Sequence, residues 1–278
     1  MTGPESTRPE DTRGRLVLVP NALDLGSEAT DLRDVLPDGV LRIAAGLTHW
    51  AVEDARSTRA FLKRVGALHP LAQTLQSIQI VEMPRRQKGR PAMAPQASRD
   101  KPPGREGDKG DDAWAALLAP VWAGHDLGVL SEAGLPGVAD PGALLVEAAH
   151  GAGIEVQALP GPSALVLALA ASGLQGQQFA FVGYLPQDAD ARARRIRELE
   201  ALSKRIDQTQ LLIETPYRNQ AVLAALLNHL APSTRLSISI GLTLPGGFSR
   251  TAPVAHWRNA PPPALSDRMP AVFGLLGG

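Results

Sequence analysis

The sequence predicts an α/β fold in two domains, and three observations predict it. Short apolar runs alternate with longer amphipathic ones from residue 113 onward. Several of the short runs end in a Gly/Pro-rich turn that opens a helix. The chain is also long for one domain and comfortable for two, with 278 residues, 44% of them hydrophobic, and a mean hydropathy of −0.06.

The elements follow in order. Residues 1–14 read as a disordered tail, and 15–19 as a compact apolar strand ended by Pro20. A short helix is expected over 27–36, with Ser27 as its cap and Pro37 beyond its end. A strand at 48–52 leads into an amphipathic helix at 55–65, which turns Phe61, Leu62 and Val65 inward and Arg56, Arg59, Lys63 and Arg64 outward. Residues 84–112 read as a flexible insertion whose one large apolar residue is Met93. Its first half carries Arg85, Arg86, Lys88, Arg90 and Arg99 and no acid, which suits an RNA backbone as well as a merely solvated loop.

Beyond the insertion come a helix at 113–122, a strand at 127–130, and a helix at 142–150 introduced by Asp140 and Pro141. A strand at 154–158 and a helix at 162–171, stopped near Gly173, follow. Then come a strand at 179–184, a charged helix from the cap Asp188 through 205, a strand at 210–214, and a helix at 217–230 opened by Thr215-Pro216. The alternation of apolar and Ser residues at 236–240 reads as a half-exposed strand, 261–263 as a proline loop, and 271–276 as a last strand. The expected domains are 15–158, which contains the insertion, and 159–278.

Composition excludes several functions. The absence of cysteine removes disulfides, thiolate chemistry and Cys-ligated zinc together. Lys+Arg and Asp+Glu both number 28, so no global field draws the chain to nucleic acid. The basic residues are mostly Arg, which suits phosphate or carboxylate recognition and equally suits a GC-rich genome. No apolar run is long enough to span a bilayer and the first residues lack a signal-peptide core, so a cytoplasmic location is expected. The first strand leads into Asn21-Ala22-Leu23-Asp24-Leu25-Gly26 rather than a dinucleotide-binding glycine motif. There is no P-loop and no Gly-x-Ser-x-Gly elbow, and the six His are scattered without metal-ligand spacing. No metal is expected.

What remains is one device used twice. Strand 127–130 and strand 154–158 each run into a turn of small residues, and each turn opens a helix. Such turns let a ligand approach the main chain and its amides closely. Each is also an ordinary helix start, so neither alone identifies a function.

The segments Ser-Glu-Ala-Gly-Leu-Pro-Gly-Val-Ala-Asp-Pro-Gly (131–142), Leu-Pro-Gly-Pro-Ser-Ala (159–164), Ala-Ser-Gly-Leu (171–174), Phe-Val-Gly-Tyr-Leu-Pro (181–186) and Glu-Thr-Pro-Tyr-Arg (214–218) together resemble the tetrapyrrole methylase superfamily of S-adenosylmethionine (SAM) dependent methyltransferases. The stretch 51–59 resembles the Ala-Glu-Asp-Thr-Arg segment of its small-subunit ribosomal RNA cytidine 2′-O-methyltransferase branch. The resemblance implies two α/β domains with SAM in the cleft between them, no metal, and a homodimer. It implies cofactor contacts from Ser131, Glu132, Ala133, Gly134, Leu135, Pro136 and Val138, from Ser163 and Ala164, and from Ile213 and Glu214. Glu53 or Asp54 stands nearest to a catalytic role at the acceptor hydroxyl, with Arg56 and Arg59 on phosphates; helix-start stabilisation accounts for Glu53-Asp54 equally well.

The departures fall on the acceptor side. The branch has Pro-Thr-Pro-x-Gly-Asn after its first strand where this chain has 20–25 as Pro-Asn-Ala-Leu-Asp-Leu, and its Ser-Tyr-His-Glu-His-Asn segment has no counterpart. Gln187-Asp188 replaces basic residues after Leu-Pro, and 244–249 replaces an acidic segment. Three functions therefore stand open: methylation of an RNA or ribosomal ribose, methylation of a tetrapyrrole or other small molecule, and non-catalytic SAM binding.

Overall fold

The computed structural model describes residues 13–24, 31–84, 109–260, 262 and 265–278. Most of the expected tail, the Ser27 cap, the five basic residues of the insertion's first half, and Pro261 and Pro263 lie outside them. The chain divides into two units, Met1–Pro162 and Ser163–Gly278.

The first unit is built on a five-stranded sheet of order β3-β2-β4-β1-β5. Its elements are β1 (Leu16–Leu18), α1 (Asp38–Gly46), β2 (His49–Val52), α2 (Ala55–Gly66), β3 (Gln79–Glu82), α3 (Lys109–Ala116), α4 (Ala119–Trp122), β4 (Leu127–Leu130), α5 (Gly142–Gly151) and β5 (Val156–Ala158). Every pairing is parallel. Successive strand residues point to opposite faces, so the strands feed two cores. Val17, Trp50, Val52 and Leu130 pack with α1 and α2, while Leu16, Ala51, Leu127 and Val129 pack with α3, α4 and α5. The Trp50 ring lies where a Cβ on Gly128 would stand, 2.7 Å from its Cε3, so a glycine is required opposite it.

This layering positions the site. Chain leaving β1 and β2 turns onto the α1/α2 face, and chain leaving β4 turns onto the α5 face. β4 lies between β1 and β2. Its carboxyl end is therefore a topological switch point, the place where parallel α/β sheets leave a crevice for ligands.

Three expectations are corrected here. Pro37 starts a helix rather than ending one: it is the N-cap of α1, and only Leu32–Asp34 forms a turn before it. The polar strand β3 goes unforeseen because pairing with β2 makes it a strand, with Val81 53% exposed on the sheet edge. Helix α3 starts at Lys109, inside the segment read as insertion.

The second unit has a mixed sheet of order β6-β7-β10-β8-β9. Its elements are α6 (Ala164–Ser172), β6 (Phe179–Phe181), α7 (Ala189–Ile206), β7 (Thr209–Glu214), α8 (Asn219–His229), β8 (Arg235–Ile240), β9 (Phe248–Pro253), α9 (Val254–Asn259) and β10 (Ala271–Leu276). β6 and β7 are parallel and the other pairings antiparallel. Strand–helix alternation thus gives way after α8 to the β8–β9 pair, and β9 and α9 go unforeseen. Ser237 and Ser239 are 2% and 1% exposed, so β8 is buried on both faces instead of half-exposed. The Ser239 and Ser249 hydroxyls meet across the pair at 2.8 Å, which makes one of these buried polar groups tolerable. Asp188 caps α7 as expected, its carboxylate accepting from the Ala191 N–H at 2.8 Å.

Candidate functional site

The turn after β4 is latched by Asn21, the residue after Pro20 at the end of the neighbouring strand β1. Asn21 and Gly134 exchange two backbone hydrogen bonds, of 2.9 and 3.1 Å. The Asn21 side chain donates to the carbonyls of Ser131 (3.2 Å) and Glu132 (3.0 Å), and its Oδ1 accepts from the Ala22 N–H at 2.9 Å. Asp140 closes the far end of the turn, accepting from the N–H groups of Gly137 at 2.9 Å and Gly142 at 2.7 Å. The amides of Gly134, Gly137 and Gly142 are thus satisfied within the protein, contrary to the expectation that the turn holds them open. What the turn does present is the exposed surface of Glu132, Ala133 and Val138, over the buried Ser131, Gly134 and Pro136 and the half-buried Leu135.

Asn21 is the residue that sequence reading missed. It sits where the chain departs from the resembled family, so its signal was only local: an Asn directly after a strand can bond neighbouring backbone. Asn21→Ala strips a donor from the carbonyl of the buried Ser131 and is expected to destabilise the protein by about 1–3 kcal/mol. Urea unfolding measures this directly, and an unchanged midpoint would show that the latch contributes nothing.

Glu53 leaves the end of β2, the other neighbour of β4. Its Oε2 accepts from the Glu132 N–H at 3.2 Å, so the two sequence-predicted segments meet here. Burial pushes the Glu53 carboxyl above its ordinary range, helped by Asp140 and Asp54, while the Glu132 N–H pulls it down. Glu132 is raised by burial and by the charges of Glu53 and Asp54. Burial raises Asp140 too, against its amide donors. Glu53 and Glu132 are thus raised in part by neighbouring carboxylates, a like-charge repulsion at the switch point that a cationic ligand relieves.

Asp54 is different. Its carboxylate is the N-cap of α2, accepting from the Ser57 N–H at 2.6 Å, and that bond holds the carboxyl below the ordinary carboxylate range. Arg56 and Arg59 are exposed on the first turns of α2. Arg64, expected outward, instead reaches Asp24 at 2.7 Å, with 15% of its side chain and 4% of that of Asp24 exposed. The buried carboxylate turns a charged helix position inward.

In the second unit, Ala164 and Ile213 join one apolar cluster with Leu165, Ala168 and Val272. Ser163 is the N-cap of α6, but its hydroxyl makes no capping hydrogen bond. Glu214 is 1% exposed. One of its oxygens accepts from the Thr215 N–H at 2.8 Å, and the other faces Arg218 at 3.3 Å.

The model of the Tetrapyrrole (Corrin/Porphyrin) Methylases matches residues 68–246. Curated relatives named ribosomal RNA small subunit methyltransferase I include one from Synechocystis sp., 37% identical over 127 residues, or 46% of this chain and 44% of that one. Another, from Mesorhizobium japonicum, is 36% identical over 132 residues, 48% of this chain and 44% of that one. The chain spans less than half the length of these curated relatives. Among solved structures, the methyltransferase CobJ aligns with a TM-score of 0.55 at 18% identity, over 95% of both chains. A cobalamin biosynthetic enzyme, cobalt precorrin-4 methyltransferase, aligns at 0.52 and 12% over 98% of both. These two share the fold.

Proposed function

The chain belongs to the tetrapyrrole (corrin/porphyrin) methylases, and on that footing we propose that it is a SAM-dependent methyltransferase acting on a ribose 2′-hydroxyl of small-subunit ribosomal RNA. The observation that carries the reading is the Glu53–Glu132 junction at the switch point. It joins the segment that resembles the RNA-methylating branch to the turn that resembles the cofactor turn of the whole family.

The residues present fit the cofactor. SAM bears a sulfonium and an ammonium, and the crowded carboxyls Glu53, Glu132 and Asp140 favour positive charge beside them. Ala133 and Gly134 leave the main chain close to the surface, and Glu132 offers an acceptor to ribose hydroxyls. Ser131, Leu135, Pro136 and Val138 complete that wall. When bound, SAM supplies a methyl group on a cationic sulfur. Glu53 takes the proton that the acceptor hydroxyl loses, a task that a carboxyl raised by burial performs better than the capping Asp54. The reading extends to a cytoplasmic homodimer, with the family resemblance as its support. No helix among the described residues is long and apolar enough to cross a membrane.

Transfer from labelled SAM to isolated small ribosomal subunits tests the activity. Label in RNA that resists alkaline cleavage at one position is the expected result. Transfer to a tetrapyrrole and none to RNA would replace the acceptor. A second measurement addresses the phosphate contacts. Arg56→Ala with Arg59→Ala is expected to weaken RNA binding, reduce the salt slope of log K by about two, and leave SAM affinity unchanged. Equal RNA affinity in the double variant would remove both residues from the interface.

A further inference from the structure

The chain has two tyrosines, and both stand on the second unit with their side chains in solvent. Tyr184 is 52% exposed and Tyr217 is 77% exposed. Tyr184 follows β6 and Tyr217 follows β7, two strands that run parallel and side by side, so both rings lie at the same end of the sheet. The pairing continues past β6: the Ile213 N–H donates to the Gly183 carbonyl at 3.1 Å, directly before Tyr184.

These two segments are bolted together. Arg218, next to Tyr217, donates through Nη2 to the carbonyl of Leu185, next to Tyr184, at 3.2 Å. The same Nη2 lies 3.3 Å from the buried Glu214 carboxylate. Arg192 of α7 fixes the end of the same loop, donating to the Gln187 carbonyl at 2.9 Å. A partly buried scaffold therefore fixes the two segments, with Tyr184 half-exposed and Tyr217 largely exposed.

The charge around the rings narrows the choice of what covers them. Residues 163–278 carry eleven Lys or Arg against seven Asp or Glu, a net charge of +4 that residues 1–162 balance with −4. On α7, the helix that starts just beyond the Tyr184 loop, Arg194, Arg195 and Arg197 are exposed after the exposed Asp188 and Asp190 of its start. Aromatic faces on a unit of net positive charge suit unpaired nucleotides, whose bases stack on the rings while the phosphates meet the guanidiniums.

We propose that Tyr184 and Tyr217 form a stacking platform for unpaired bases of the RNA acceptor. The proposal rests on the RNA reading given above and deepens it: the acceptor is engaged in single-stranded form, and the second unit supplies base contacts that carry no sequence readout. Helical RNA would not bring a base face to these rings.

The test compares two fluorescein-labelled single-stranded RNA oligomers of the same length, one with all its bases and one with two adjacent abasic positions. The wild-type protein is expected to bind the complete oligomer about tenfold or more tightly than the abasic one, the effect of base–aromatic stacking. Tyr184→Ala with Tyr217→Ala is expected to lose that preference and bind both oligomers as the wild type binds the abasic one. Tyr184→Phe with Tyr217→Phe is expected to keep it, because stacking needs the ring and not the hydroxyl. Wild type that fails to distinguish the oligomers, or a double alanine variant that still distinguishes them, overturns the platform. So does a double alanine variant whose one change is in self-association, measured by sedimentation. Methyl transfer by the wild-type protein to small ribosomal subunits separates the two failures. If transfer occurs and the platform fails, the RNA reading stands alone; if transfer does not occur, both fall.

Discussion

Glu53→Gln is expected to lower methyl transfer at saturating SAM by about 10²–10⁴-fold, the usual contribution of a positioned proton acceptor, and to weaken SAM binding far less, because Glu132 and Asp140 keep their charges. The variant keeps the volume of the side chain and an oxygen that can accept from the Glu132 N–H, so the junction between β2 and the β4 turn survives. It loses the capacity to take a proton, together with one of the three charges beside the cofactor. The pH profile separates this role from a structural one. Burial, Asp140 and Asp54 raise the Glu53 carboxyl, and the base works only when deprotonated. Wild-type kcat/KM should therefore fall with decreasing pH on a limb displaced above the ordinary carboxylate range. That limb should vanish in the Gln variant. Initial rates of labelled transfer over a pH series show it, and a variant with the wild-type rate and limb would remove Glu53 from the reaction.

Gly134→Val is expected to abolish measurable SAM binding and to lower stability at the same time. A Cβ at this position would lie 3.3 Å from the Leu23 Cδ2 and 3.5 Å from the Pro162 carbonyl oxygen, contacts that small shifts accommodate. The obstacle is conformational. Gly134 has φ +71°, a left-handed conformation in which a β-branched residue is strained by about 1–3 kcal/mol. Relief requires the turn to give up its paired hydrogen bonds to Asn21, and the wall of Glu132, Ala133 and Gly134 moves with it. If Gly134 only faced the cofactor, the new side chain would act by filling the cofactor's space. The structure points that side chain toward Leu23 and Pro162 instead, so the loss comes from displacing the turn. Calorimetry with SAM and thermal unfolding together decide: unchanged affinity would mean that this turn does not form the cofactor wall.

How much of this was legible in the sequence depends on how local each signal is. The strands β1, β2, β4 and β10 are compact apolar runs, and Asp188 and Gly173 mark helix ends through their own side-chain or backbone chemistry. Those features need no partner to be recognised. β3 and β9 need one: each is polar or mixed and lies at a sheet edge, and pairing makes it a strand. Pro37 was ambiguous because proline both follows helices and opens them. At the site, the turn and Glu53-Asp54 were visible as motifs, but their junction through the Glu132 N–H is a contact across 79 residues. The division of labour between Glu53 and Asp54 follows from which carboxylate the α2 N-terminus claims. Asn21 and Arg64 escaped because the groups they bind lie on other elements.

Calorimetric titration of the folded protein with SAM, with S-adenosylhomocysteine as the comparison, tests the central claim most directly. Saturable micromolar binding of SAM that Gly134→Val removes is the predicted result. A protein that is folded and shows no heat of binding with either ligand would contradict it, and the turns at the switch point would then be architecture alone.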